Sequence, residues 1–225
     1  MHKSIYWLLS IILIGCIGDD LVFDEVDPVV RIMNPVDTLE INSTYQFNVS
    51  YFNNVGEEGQ LPEYSWSSSA PDVVSIDNTG LATAISLGKA EITVTGNSPD
   101  GITLRDSRTI AVGTSTVLSS GTRTGTLRTT SSYALTGAFT LEEISGGVKL
   151  SFGEDYRASS ALPGLYVYLT NNPNSNSNAL EIGKVTTFSG AHLYEVMGVG
   201  LNEYSHVLYY CKPFSVKVGD GAFDN

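Results

Sequence analysis

The sequence predicts an all-β fold: two tandem β-sandwich domains behind an N-terminal targeting segment. Three observations predict it. No segment carries the apolar period of an amphipathic helix. Short β-branched and aromatic runs recur between clusters of Gly, Asn, Asp and Ser, which is an all-β signature. A Gly/Ser/Thr stretch, residues 113–125, interrupts a mature length of about 210 residues, enough for one or two domains.

His2 and Lys3 give the chain a short positive start, and "IYWLLSIILIG" is an apolar run too short to span a bilayer as a stable helix. That is the pattern of a secretory signal. It ends in Leu13-Ile14-Gly15-Cys16, which resembles a bacterial lipobox. The resemblance implies a lipoprotein signal peptide over residues 1–15. It also implies lipidation of Cys16, palmitate included, and an anchor in the outer membrane of the cell envelope. Several acyl chains on one residue hold a protein firmly, whereas one gives marginal binding. Residues 16–35 read as an acidic tether carrying Asp19, Asp20, Asp24, Glu25 and Asp27. The tether resembles the surface-export signal of Bacteroidetes lipoproteins, and a solvated linker would have the same composition.

The formal charge is −12, and loss of residues 1–15 removes Lys3 and no acid, leaving −13. Residues 16–113 hold 15 acids and 4 bases, and residues 114–225 hold 9 acids and 7 bases. With no basic patch, nucleic acid is not an expected partner.

The elements of the first domain, residues 36–113, follow in order. In "STYQFNVSYF", Tyr45, Phe47, Val49 and Tyr51 alternate on one face until Phe52 breaks the pattern. "NNVGEEGQLPE" reads as a long loop. "EYSWSSS" places Trp66 in a strand as a core residue. "VVSIDNTGLATAI" is a hairpin turning on Asp77-Asn78-Thr79-Gly80. "KAEITVTG" and "RDSRTIAV" are further alternating strands. Seven or so short strands at this spacing suggest an immunoglobulin-like sandwich.

Trp66-Ser67-Ser68, the Val73-to-Ala84 hairpin with Asp77 and Gly80, and Gly88-Lys89-Ala90-Glu91-Ile92-Thr93-Val94 resemble the bacterial immunoglobulin-like group-two domain. The resemblance implies a spacer or adhesive module of a bacterial surface protein.

The second domain, residues 118–225, reads as eight strands: "TRTGTLRTT", "YALTGAFTLEE", "GGVKLSFGEDY", "GLYVYLT", "LEIGKVT", "HLYEV", "HVLYYC" and "FSVKV". "NNPNSNSN", residues 171–178, is expected as a flexible hairpin loop. Its asparagines lack the carboxylates a cation site would need.

Two cysteines occur, and lipidation of Cys16 would leave Cys211 unpaired. Val207, Tyr209 and Cys211 share a strand face. A bulge at Lys212-Pro213 would bring Phe214, Val216 and Val218 to the same side, with Cys211 inward. A free cysteine there is commonly a small buried hydrophobe.

Gly137-Ala138-Phe139, "LSFGEDYRASSALPGLYVYLT", "LEIGKVTTFSGAHLYEV" and "YSHVLYYCKPFSVKVGDGAF" resemble the DM-thirteen domain. That resemblance implies electron transfer or redox-group binding through the lone cysteine, Cys211, with Phe214, Val216 and Ala222 matching around it. This chain departs from the family pattern. Pro163-Gly164-Leu165 lacks an aspartate, His192 stands for a glutamine, Tyr210 for a tryptophan and Val218 for a phenylalanine. Haem is a candidate group, and His192, Met197 and His206 are weak candidate ligands. Covalent c-type attachment is excluded by the lack of C-x-x-C-H. His206 has the opposite parity to Cys211.

No catalytic triad, paired-carboxylate motif or phosphate loop marks a hydrolase or transferase. The expected partners are the membrane, through Cys16, and a redox or surface protein. Two functions follow: a lipid-anchored envelope protein working in electron transfer through Cys211, or a non-enzymatic surface spacer or adhesion protein in which Cys211 is core packing.

Overall fold

The computed structural model describes residues 24–119 and 121–224. The signal peptide 1–15, the lipidation residue Cys16 and tether residues 17–23 lie outside the described residues. The rest is built almost wholly from strands, as the all-β reading expects.

The N-terminal part contains β1 (Val29–Ile32), β2 (Val36–Glu40), β3 (Thr44–Gln46), β4 (Val49–Phe52), β5 (Glu58–Gly59), β6 (Tyr64–Ser68), β7 (Val74–Ile76), β8 (Leu81–Ala84), β9 (Gly88–Asn97), β10 (Thr103–Gly113) and β11 (Val117–Leu118). They form sheets of order β1-β4-β5, β11-β2-β10-β9-β6 and β3-β8-β7. The β9–β10 hairpin is the longest antiparallel pair, and β10 also runs parallel to β2. Ile32, Leu39, Phe47, Trp66, Ile92 and Ile110 meet in one core. Trp66 lies against Phe47, with ring centroids 5.8 Å apart. The hairpin at Asp77 forms as its residues dictate. Asp77 Oδ1 accepts from the Thr79 and Leu81 amides at 2.8 and 3.0 Å. Gly80 has φ +85°, and a Cβ there would sit 3.0 Å from Trp66 Nε1, so both backbone and packing require glycine.

The fold begins before residue 36. Val30 and Ile32, placed in the tether by composition, alternate into the core, and β1 pairs with β4. The "NNVGEEGQLPE" segment is a hairpin and not a plain loop, because β5 turns back onto β4 through Asn53–Gly56. The 113–125 stretch is also more structured than a linker. Val117 and Leu118 pair with β2, and the next strand starts at Thr122.

The C-terminal part contains β12 (Thr122–Thr129), β13 (Leu135–Ile144), β14 (Gly147–Phe152), β15 (Arg157–Ala158), β16 (Leu165–Thr170), β17 (Leu180–Lys184), β18 (His192–Met197), β19 (His206–Cys211) and β20 (Val216–Ala222). Apart from the short β15, which pairs with β13, these match the eight expected runs. The order is β17-β16-β19-β20-β12-β13-β14-β18, all antiparallel. Leu141 and Leu150 from one half and Val167 and Tyr209 from the other share a second core, distinct from the first.

The turn after Cys211 differs from the expected bulge. Lys212–Phe214 is a 3-10 turn closed by Ser215 at φ +50°, and it joins β19 to β20 as a hairpin. Pro213 has no N–H for a ladder and its fixed φ suits such a turn. Phe214 is thereby turned out, 61% exposed, while Val218 is buried.

Candidate functional site

Cys211 ends β19 on the inner face and is fully buried. It is paired in register with Leu165 of β16 and Val216 of β20. The adjacent cation points elsewhere: the Lys212 ammonium lies 4.2 Å over the Tyr166 ring and pairs with Glu181.

The three weak ligand candidates do not gather on that sulfur. His192 stands on β18, stacked on Phe152 at 4.8 Å and 4.4 Å from the Tyr156 ring. Its Nδ1 is 3.0 Å from the Gly190 carbonyl. Met197, at the far end of β18, is 62% exposed. His206 opens β19 on the opposite face from Cys211, with Nδ1 2.8 Å from Ser205 Oγ. Burial pushes its pKa down to about 4, opposed in part by Asp220. Haem would need a crevice beside the thiol wide enough for its ring. The packed strand neighbours of Cys211 leave no such face, so these residues do not fit the group. Among the described residues no cluster of three or more His, Cys, Asp or Glu is placed to hold a metal.

In the core that holds Cys211 lies a polar group that the sequence did not reveal. The Tyr156 and Tyr209 hydroxyls are buried facing each other, and His192 Nε2 is buried without a hydrogen-bond partner among the described residues. Burial pushes the Tyr156 phenol up to about 12 and raises Tyr209 as well. Both rings stay neutral at any physiological pH.

The second arrangement lies between the two sandwiches. On β1, Arg31 sits between inward-facing Val30 and Ile32 and therefore points the other way. Its guanidinium lies 4.6 Å over the Phe52 ring. It donates to Asn171 Oδ1 at 3.2 Å, to the Asn202 carbonyl at 2.8 Å and to the Glu203 carbonyl at 3.2 Å. Asn202 Nδ2 returns a bond to the Met33 carbonyl at 3.0 Å. Asn172 donates to the carbonyls of Asp24 and Val55, and Asn174 to that of Glu25 at 3.1 Å. The asparagine-rich stretch expected to be a flexible loop is thus, at 171–174, the surface on which the first sandwich docks. Thr170 and Asn172 are buried polar residues there, bonded to each other at 2.9 Å. The legible signal was Phe52, which breaks the alternation of its strand because it faces this seam.

Three cavities of about 560, 750 and 460 Å3 lie along the seam, and Arg31 lines each of them. Burial depresses the Arg31 pKa to about 10, with Arg123 adding to the effect.

No curated protein sequence matches the chain. Among solved structures, it is similar to domains 4 and 5 of the S-layer protein SbsC, at 16% identity over 87% of this chain and 96% of that one, with a TM-score of 0.28. SbsC domains 1–6 give 12% identity over 89% of this chain and 40% of that one, with a TM-score of 0.29. The family model described as bacterial Ig-like domain (group 2) matches residues 28–105, a range that includes β1. The N-terminal sandwich is a bacterial Ig-like domain of group 2.

Proposed function

We propose that this chain is a non-enzymatic spacer of the bacterial cell envelope, anchored through lipid on Cys16, in which the Ig-like domain holds a DM-thirteen-like module away from the membrane. The observation that carries this reading is the Arg31 contact: one side chain of the first sandwich reaches three acceptors of the second. Two modules joined by a loose tether would need no such contact. A rigid arm does. The enclosed position of Cys211, apart from His206 and Met197, supports core packing over electron transfer.

The test has two parts. Wild-type protein should fractionate with membranes, and Cys16→Ser should be released or remain as an unprocessed precursor. Native protein purified from its own host should show no visible absorption band. Identical fractionation of the two forms would remove the anchor. A chromophore lost in Cys211→Ala, with the fold intact, would restore the electron-transfer reading.

A further inference from the structure

The 460 Å3 cavity between the sandwiches is lined by four of the chain's six arginines: Arg31 on β1, Arg105 and Arg108 on β10, and Arg123 on β12. One carboxylate, Asp106, shares the wall, and it is already engaged. Its Oδ1 pairs with Arg108 at 2.9 Å and its Oδ2 accepts from the Ile32 amide at 2.7 Å. Arg105 reaches outward to Glu91 at 3.3 Å. Arg31 and Arg123 have no carboxylate partner among the described residues. Arg31 donates to Asn171 and to backbone carbonyls. Arg123 donates to the Tyr204 carbonyl at 2.9 Å and lies 5.0 Å from the Phe223 ring centroid. Carbonyls satisfy the N–H groups but carry no full charge, so two half-buried cations lack a direct ion pair among the described residues and are offset only through space, Arg31 by Asp106 and Arg123 by Asp224. Burial lowers the pKa of both, and repulsion among the arginines adds to it. Ser205 and His206 complete the wall with neutral polar groups. The neighbouring 750 Å3 cavity shares Arg31, Arg108 and Arg123 but adds Asp37, Glu143, Glu203 and Asp224, which makes it the wrong side for an anion.

We propose that the arginine-lined cavity binds a small oxyanionic ligand, phosphate- or carboxylate-bearing, held between the two sandwiches by the guanidiniums of Arg31 and Arg123. The planar guanidinium fork matches the paired oxygens of both groups. The volume falls in the range of roughly 300–1,000 Å3 typical of small-molecule sites. A bound anion would supply the missing ion pair and add a bridge across the seam.

Thermal unfolding of the full chain, followed against inorganic phosphate, glucuronate and neutral glucose with chloride holding ionic strength constant, tests the site. The expected result is a saturable rise in Tm with phosphate, glucuronate or both, and none with glucose. A rise with phosphate alone assigns a phosphoryl group, and a rise with glucuronate alone assigns a carboxylate. Arg123→Gln should raise the half-saturating concentration about tenfold or more, as loss of a charge-assisted hydrogen bond does. Should Arg123→Gln fail to fold, Arg108→Gln, which leaves Asp106 unopposed on the wall, should give the same direction. Lys149→Gln, which removes one charge outside the cavity, should leave the value unchanged. No saturable rise with either anion, or equal half-saturation in the wild type and the folded arginine variant, overturns the proposal.

Discussion

Arg31 donates from both Nη1 and Nη2 to a single acceptor, Oδ1 of Asn171, at 3.2 Å each, across a separation of 140 residues. Asn171 also donates from Nδ2 to the Glu203 carbonyl at 2.9 Å, so it fixes the loop that presents the remaining acceptors of Arg31. Asn171→Ala should cost about 2 kcal/mol, the scale of hydrogen bonds to a charged group. Differential scanning calorimetry should show the unfolding endotherm broadening or splitting as the two sandwiches uncouple. An unchanged single transition would mean that the seam does not join them energetically.

Two glycines separate seam packing from backbone strain. Gly56 and Gly101 have nearly the same left-handed φ, +78° and +80°. A Cβ on Gly56 would lie 2.8 Å from the Asn172 amide nitrogen, whereas one on Gly101 meets nothing within 4 Å. Alanine at either position costs about 1–2 kcal/mol of backbone strain. Gly56→Ala should cost about 1–3 kcal/mol more, because it also overpacks the docked surface. Equal denaturant midpoints for the two variants would refute the contact.

His206 should make the protein acid-sensitive. Its folded-state pKa is near 4 against an ordinary 6.5, because burial disfavours the cation. As pH falls below 6.5 the unfolded chain takes up a proton that the folded chain refuses until about pH 4. The contribution of this group is therefore complete above that window, declines through it and levels off below. The loss from this group is at most about 3 kcal/mol. In a Tm-against-pH series, His206→Gln should be flatter than wild type over that interval.

Cys211→Ala should cost about 1–2 kcal/mol, the scale of a small core truncation. Cys211→Ser should cost at least as much, since it buries a hydroxyl in apolar company. The folded wild type should react with thiol reagents only as fast as it opens. Rapid stoichiometric labelling of native protein would contradict the packed position.

The strands were readable because they carry their own record of burial: alternation in β13, a continuous apolar run in β19, and an Asx-type turn at Asp77. The seam was not. Its contacts are side-chain amides meeting backbone carbonyls far away in sequence, which leaves no period, and polar residues such as Asn171 and Asn172 read as solvent-facing. Phe52 was visible as an exception, but an exception does not name its partner, and Arg31 lay in a segment read as tether. Parity placed Cys211 correctly. It misplaced Phe214 because Pro213 reverses the chain there instead of bulging it.

Strand β12 divides its pairing. Residues 122–127 pair with β13, while Arg128 and Thr129 pair with Asp220 and Gly219 of β20. Arg128 and Lys217 also clamp the buried Asp220 carboxylate, at 2.6 and 2.5 Å. The opening strand of this sandwich therefore cannot complete its ladder until the closing strand has been synthesised. A chain emerging from a ribosome or a secretion channel N-terminus first can close the Ig-like domain while the second sandwich still waits for its final segment. Long loop closure of this kind slows folding. It also lengthens the interval in which the edges of β12 and β13 stand open.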